Sequence, residues 1–157
     1  MDGNICYFSQ LDRFDIAIID ALSKDGRLPV TDLAKQVGLS KSPCQVRLKR
    51  LRTRGYILGF RAVIDPQKMA REHVAFVEVK LSDTSEGALE AFNKAVLKIR
   101  EVENCHMIAG PFDYLLKVRT ENIRAYRRVL GEAISTLPQV ASTSTYVVME
   151  SVKDVAF

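Results

Sequence analysis

This chain of 157 residues has few cysteines, which disulfide-rich secreted proteins need, and lacks the long apolar runs of membrane proteins. Its three cysteines, Cys6, Cys44 and Cys105, form no Cys-x-x-Cys pair, which argues against a disulfide framework and for a reducing compartment. No apolar run approaches the ~18 residues that span a membrane. The first fifteen residues lack the basic start and apolar core of a secretion signal. We therefore expect a cytoplasmic protein without a membrane partner.

Side chains for catalysis and metal binding are equally few. His73 and His106 are the only histidines, and no His-x-x-x-His pair, phosphate-binding glycine loop or nucleophile motif occurs. Because neighbours on a strand point to opposite faces, Cys105 and His106 are not expected to bind one metal ion. The sequence predicts no enzyme, no metal site and no cofactor.

The charge of the chain is unevenly distributed. Residues 1–61 contain 11 Lys and Arg against 6 Asp, whereas residues 62–157 contain 12 against 13 acidic residues. Within the first part, residues 41–61 carry seven basic residues and no acid. A solvated helix face normally mixes both signs, so this block is typical of a surface that contacts phosphates. A basic face without a partner is the alternative.

The first sixty residues have the pattern of three helices. Asp12 is a suitable N-cap for the first, and an Asp-Gly pair follows it. The second is predicted to end at Gly38, and the third to begin at Ser40 and stop at Gly55. Two short helices, a turn containing glycine and a basic second helix are typical of a helix-turn-helix domain.

The third helix, projected at 100° per residue, separates into an apolar and a polar face. Short polar residues come first on the outward face and cations come later, as a recognition helix requires to reach base edges and hold phosphates. Val46 is equally consistent with a thymine contact and with a scattered surface residue. The predicted DNA-contacting residues are Ser40, Lys41, Ser42, Gln45, Val46, Arg47, Lys49, Arg50, Arg52 and Arg54.

From residue 73 the periodicity alternates between strand and helix. Strands are predicted over 73–81, 102–109, 114–119 and 142–151, and helices over 86–99 and 123–136. The order βαββαβ is the ferredoxin-like plan, with both helices on one face of the sheet. We predict an α+β protein with a helix-turn-helix domain at 1–60, a linker strand at 61–72 and a ferredoxin-like domain at 73–157.

The predicted sheet leaves one face without helices. By alternation we expect this face to carry Phe76, Leu116 and Val148, and pairing with a second copy of the chain would cover it. RNA-recognition domains share the βαββαβ order. Their central aromatic run is missing, because residues 114–119 contain a single aromatic residue.

Four long stretches carry a resemblance to a known family. They are LDRFDIAIIDALSKDGR (11–27), LAKQVGLSKSPCQVRLKRLRTRGYI (33–57), CHMIAGPFDYLLKV (105–118) and LPQVASTSTYVVMESVK (137–153). In them the chain resembles the leucine-responsive/asparagine regulator (Lrp/AsnC) family of bacterial transcription factors, most closely its leucine-responsive branch. Pro111 stands where that branch usually has the first Asp of Gly-Asp-Phe/Tyr-Asp.

The resemblance implies a DNA-binding homodimer that assembles into tetramers or octamers and responds to an amino acid. The loss of one acid at Pro111 favours a neutral effector of modest size, such as leucine, methionine or proline. The alternative is an architectural protein that compacts DNA without an effector. The effector residues that the resemblance implies are Gly110, Phe112, Asp113, Gln139, Val140 and Thr143.

Overall fold

The computed structural model describes residues 11–153, which form two compact units divided between Val63 and Ile64. The division lies inside the predicted linker. The N-terminal unit contains α1 (Arg13–Lys24), α2 (Val30–Val37) and α3 (Lys41–Thr53). Its helices enclose a small apolar core that includes Ile18, Leu33 and Leu51. The three predicted helices are confirmed.

Local signals in the sequence explain where these helices begin and end. The Asp12 carboxylate accepts hydrogen bonds from the backbone N–H groups of Phe14 and Asp15, and Asp15 accepts one from the backbone of Asp12, which completes a capping box. Gly38 ends α2 with φ +73°, a left-handed conformation that residues with a Cβ rarely adopt. Pro43 lies in the first turn of α3, where no intrahelical partner is required of its nitrogen.

The predicted linker strand is wrong for the single chain. Residues 58–65 have irregular backbone and residues 66–70 form turns, so none of residues 61–72 lies in a strand. A strand exists only where a neighbour completes its hydrogen bonds, and residues 11–153 offer this segment no such neighbour. Leu58, Val63 and Ile64 remain strongly exposed.

The C-terminal unit has the predicted βαββαβ order. It comprises β1 (His73–Leu81), α4 (Glu86–Val96), β2 (Val102–Met107), β3 (Tyr114–Thr120), α5 (Ile123–Val129) and β4 (Val140–Val147). A π-helical turn, Leu130–Ile134, follows α5 directly. The strands lie in the order β2-β3-β1-β4, with β1 antiparallel to both β3 and β4. This is the ferredoxin-like sheet.

The ends of several elements differ from the sequence prediction. Helix α4 stops at Val96 rather than residue 99, and β2 ends at Met107 rather than residue 109. Strand β4 lies earlier than predicted, because it begins at Val140 and ends at Val147. The predicted helix 123–136 divides into α5 and the π turn.

Side chains alternate between the two faces of the sheet. Val77, Val79 and Leu116 are completely buried in the core with Phe92 of α4 and Ile134 of the π turn. The prediction that Leu116 lies on the bare face is therefore wrong. Because the side-chain period of a strand is two residues, an error of one position moves a residue to the other face.

The bare face carries the neighbours of these buried residues. Phe76 of β1 lies opposite Tyr146 of β4, and both are partly exposed. Leu115 of β3 lies opposite Glu78 of β1 and is half-buried. Val148 follows the end of β4 and donates its N–H to the Val74 carbonyl. The bare face is thus a mixture of aromatic, aliphatic and charged side chains.

Candidate DNA interface and effector site

Helix α3 divides into the two faces that the sequence predicts. Cys44 and Leu51 are completely buried against α1 and α2. Ser42, Gln45 and Val46 project outward, and Val46 is 68% exposed. An exposed apolar side chain among short polar ones can contact a thymine methyl group, whereas its neighbour Gln45 can form a bidentate pair with adenine.

Two of the predicted DNA-contacting arginines form salt bridges with α1. Asp15, whose side chain is 1% exposed, accepts from Arg47 Nη1 at 3.0 Å and from Arg50 Nη2 at 2.6 Å. Arg47 also pairs with Asp12. We call Asp12, Asp15, Arg47 and Arg50 the α1–α3 ion network. It fixes the outward helix against the first helix of the unit.

The α1–α3 ion network shifts the pKa values of Asp12 and Arg47. The Asp15 backbone N–H and then the Arg47 guanidinium hold the pKa of Asp12 below its usual value. Hydrogen bonds to Asp12 and then Asp15 raise the pKa of Arg47. The side chain of Arg47 is only 24% exposed, whereas that of Arg50 is 41% exposed. Arg47 is therefore the less accessible of the two to a phosphate.

The remaining predicted DNA-contacting residues lie at the surface of the unit. Ser40, the N-cap residue of α3, is exposed and its side chain forms no capping hydrogen bond. Exposed cations with free guanidinium or ammonium groups can hold phosphates at little cost in lost internal contacts. The cations of this set that form no salt bridge within residues 11–153 are Lys41, Lys49, Arg52 and Arg54.

The hairpin between β2 and β3 is fastened to β1 by Asp113. Its backbone N–H donates to the Val79 carbonyl at 2.9 Å, and one carboxylate oxygen accepts from the Leu81 backbone N–H at 2.7 Å. The other oxygen accepts from Lys80 Nζ at 3.3 Å. The Leu81 N–H and then Lys80 lower the pKa of the Asp113 carboxyl. The carboxylate therefore stays ionised at a lower pH than an ordinary aspartate does.

A shallow cavity of about 180 Å³ opens on the bare face of the sheet beside this hairpin. Pro111 and Phe112 supply an apolar wall, and Ser142 and Ser144 of β4 supply hydroxyl groups. Glu78 and Lys80 of β1 place a carboxylate and an ammonium group at its edge. The cavity therefore combines one charge of each sign with an apolar surface. Its lining residues are Glu78, Lys80, Pro111, Phe112, Ser142 and Ser144.

Only part of the predicted effector set lies at this cavity in the single chain. Phe112 lines it, Gly110 precedes its apolar wall and Asp113 pairs with Lys80 at its edge. Thr143 lies opposite Val79, whose side chain is buried in the core, so it shares the face that α4 and α5 cover. Val140 packs against the same core.

Gln139 has a structural contact of its own. Its φ of +62° is unusual for a residue with a Cβ, and its carbonyl accepts from the Ser82 backbone N–H at 2.7 Å. Its side-chain oxygen accepts from the Ser82 hydroxyl at 2.9 Å. The sequence prediction missed Ser142 and Ser144. Alternation along the predicted strand 142–151 was the signal that could have found them, because it places Ser142 and Ser144 on the same face as Val148.

Residues 11–153 contain neither a metal-binding cluster nor a membrane-spanning helix. No group of three or more His, Cys, Asp or Glu side chains could hold a metal ion in this part of the chain. Over the same residues, no helix has the length and apolarity to cross a membrane.

Sequence profiles of two domains match this chain. That of the AsnC-type helix-turn-helix domain matches residues 11–52, and that of the Lrp/AsnC ligand binding domain matches residues 74–156. The chain belongs to the Lrp/AsnC family. The resemblance found in the sequence is thereby confirmed, and so is the expectation of a transcriptional regulator rather than an enzyme.

This Lrp/AsnC protein is similar in sequence to two named regulators and in structure to a third. It is 69% identical to a proline dehydrogenase transcriptional activator of Rhizobium radiobacter, over 92% of each chain. It is 46% identical to the leucine-responsive regulatory protein of Escherichia coli strain K12, over 91% of this chain and 87% of that one. The solved complex of a Neisseria meningitidis transcriptional regulator with L-Met superposes with a TM-score of 0.86 at 30% identity, covering 92% and 93% of the chains.

The matches assign a role to each unit of this Lrp/AsnC regulator. The N-terminal unit is a helix-turn-helix domain, which binds DNA. The C-terminal unit is a ligand-binding domain, and it contains the hairpin and the cavity. Amino acids are bound in this family, as the L-Met complex of the Neisseria meningitidis regulator illustrates.

Proposed function

We propose that this regulator activates transcription of a proline dehydrogenase gene and that free proline is its effector. The observation that carries the proposal is the 69% identity to a proline dehydrogenase transcriptional activator over 92% of both chains. A protein that switches on an enzyme for proline needs a signal that proline is present. Its action on chromosomal DNA places it in the cytoplasm.

The cavity beside the hairpin has the groups that a proline molecule needs. Lys80 can meet the carboxylate, and Glu78 or Asp113 can meet the secondary ammonium. Pro111 and Phe112 offer apolar surface to the pyrrolidine ring. A backbone N–H at Gly110 can add a carboxylate contact, whereas Pro111 has none to donate. We include Gln139, Val140 and Thr143 among the proposed effector-binding residues only because the family resemblance implies them.

Calorimetry tests the effector. Phe112→Ala removes the aromatic wall and is expected to weaken proline binding by roughly tenfold, which corresponds to about 1.4 kcal/mol. The matched control is Met107→Ala, because Met107 is an exposed apolar residue of β2 outside the cavity lining. If the unaltered protein binds no amino acid at millimolar concentration, the effector proposal fails and the architectural function gains support. Equal weakening in Phe112→Ala and Met107→Ala would exclude this cavity as the site.

DNA recognition is proposed to divide between the two kinds of exposed residue on α3. Ser42, Gln45 and Val46 read base edges, whereas Lys49 and its neighbouring cations hold phosphates. Arg50 retains enough exposure to contribute one phosphate contact. We now assign Arg47 chiefly to positioning α3, because Asp12 and Asp15 occupy its guanidinium.

The regulator is proposed to act as a homodimer, assembled further into tetramers or octamers. The bare sheet face supports this, because Phe76 and Tyr146 are exposed side by side at 36% and 54%. Phe76→Asp is expected to convert the full-length dimer to monomers in sedimentation velocity. Ile123→Asp, at an exposed position on α5 away from this face, should leave the dimer intact. A dimeric Phe76→Asp protein would contradict this arrangement.

A further inference from the structure

A second groove lies in the C-terminal unit, at the ends of β2 and β3 opposite the hairpin, and has a volume of about 340 Å³. Four arginines reach it from four separate segments of the chain. Arg71 precedes β1, Arg100 follows α4, Arg119 lies on β3 and Arg128 lies on α5. Glu101 and Glu121 also line the groove. We call it the arginine groove.

Two of its arginines are held in place by the backbone. Arg71 donates to the Arg119 carbonyl at 3.4 Å, and Arg119 donates to the Arg71 carbonyl at 3.3 Å. Arg119 also pairs with Glu103 at 2.6 Å, so its charge is neutralised within the sheet. This reciprocal pair forms a fixed floor for the groove, and it leaves the charge of Arg71 without a carboxylate partner in the described part of the chain.

The other two arginines are available to an external anion. Arg100 and Arg128 are both exposed, and neither forms a salt bridge within residues 11–153. Helix α5 extends the same positive surface, because Arg124 and Arg127 are exposed as well and no acid occurs between Glu121 and Glu132. Residues 62–157 as a whole contain more acids than bases, so this concentration is local.

We propose that the arginine groove binds the phosphate backbone of duplex DNA outside the stretch that α3 reads. The inference rests on the DNA-binding function of the family. Guanidinium groups form paired hydrogen bonds with phosphate oxygens, and long exposed side chains suit a backbone that is recognised by charge rather than by sequence. A small anion would need donors that enclose it. The groove is open and its free cations are solvated, so it suits an extended phosphate backbone better.

The test compares two duplexes with the full-length protein. One is about 20 bp long, enough for two half-sites one helical turn apart, and the other adds about two turns of ~10 bp on each side. Arg100→Ala/Arg128→Ala is expected to weaken binding of the long duplex on the order of tenfold. The log–log salt slope for that duplex should become shallower by about 2 for each protomer whose groove is engaged, hence by about 4 for the dimer, because each phosphate contact contributes roughly 0.9. Binding of the short duplex should be unchanged.

The matched control is Lys94→Ala/Lys98→Ala, which removes the same charge from exposed positions outside the groove lining. Equal losses in both double variants, or no loss for the long duplex, would overturn the proposal. So would an altered sedimentation coefficient in Arg100→Ala/Arg128→Ala, since the groove would then bind another copy of the chain. Saturable binding of inorganic phosphate at low millimolar concentration that is lost in this variant would identify a free anion instead. Short-duplex binding and the proline response are separate readouts that test the proposed function independently.

Discussion

Asp15→Asn is expected to lower the free energy of unfolding of the N-terminal unit by about 2–3 kcal/mol. The carboxylate is almost completely buried and pairs with two guanidinium groups at 3.0 and 2.6 Å. An amide of the same shape leaves Arg50 without a counter-charge and Arg47 with Asp12 alone, and it weakens the capping box at Asp12. The loss stays below the 3–5 kcal/mol typical of a fully buried pair, because Arg47 and Arg50 can partly hydrate.

Urea unfolding of the full-length protein, monitored with a spectroscopic probe attached to the N-terminal unit, measures this change in the free energy of unfolding. Asp20→Asn is the matched control, because Asp20 lies on the same helix and pairs with Lys24 in an exposed salt bridge. The control is expected to change stability by less than about 0.5 kcal/mol. Equal stabilities of the two variants would show that the α1–α3 ion network contributes nothing beyond a surface pair.

The second large effect is expected in DNA binding by α3, where two substitutions should differ in kind. Gln45→Ala should reduce discrimination between operator and mismatched duplex by about 1–3 kcal/mol, because a bidentate base contact is lost. Lys49→Ala should weaken all sequences alike and make the salt slope shallower by roughly 0.9 per protomer, hence about 1.8 for the dimer, because each protomer loses one phosphate contact. Both side chains are exposed, so neither substitution should destabilise the fold.

Fluorescence anisotropy across a salt series separates the two outcomes. Lys24→Ala removes one cation from an exposed site on α1 and serves as the charge control for Lys49→Ala. If Gln45→Ala changes affinity equally for every duplex, or if Lys49→Ala leaves the slope unaltered, the outward face of α3 is not the reading surface.

Local chemistry made much of the fold predictable. The Asp12 cap, the Gly38 stop and the alternation of β1 each depend on residues close together in the chain, and the structure follows them closely. The ion pairing of Arg47 escaped prediction because its partners precede it by more than thirty residues. A helical projection distinguishes inside from outside, but it does not reveal which charged neighbour another helix supplies.

Errors in the C-terminal unit have a related physical origin. Pairing with β1 sets the bounds of β4 at 140–147 rather than the predicted 142–151, and no local pattern in the sequence reveals where that pairing begins. Thr143 and Val140 entered the effector set through the family resemblance, not through the predicted strand. Leu116 was predicted on the bare face but is buried in the core, because an error of one residue in the assigned alternation moves a side chain to the other face of the sheet. The segment 61–72 has strand-forming composition, but a strand also requires a hydrogen-bonding neighbour, and composition alone does not show whether one exists.

The contacts of Asp113 have a consequence for the concentration at which the proposed sensor responds. Its carboxylate already accepts from Leu81 and Lys80, so an incoming ammonium group competes with internal donors rather than with water alone. Each internal bond that must be given up subtracts from the affinity, and every 1.4 kcal/mol raises the midpoint of the response tenfold. For the proposed proline-responsive activator, this competition shifts the expected response toward higher proline concentration than a site with unpaired groups would give.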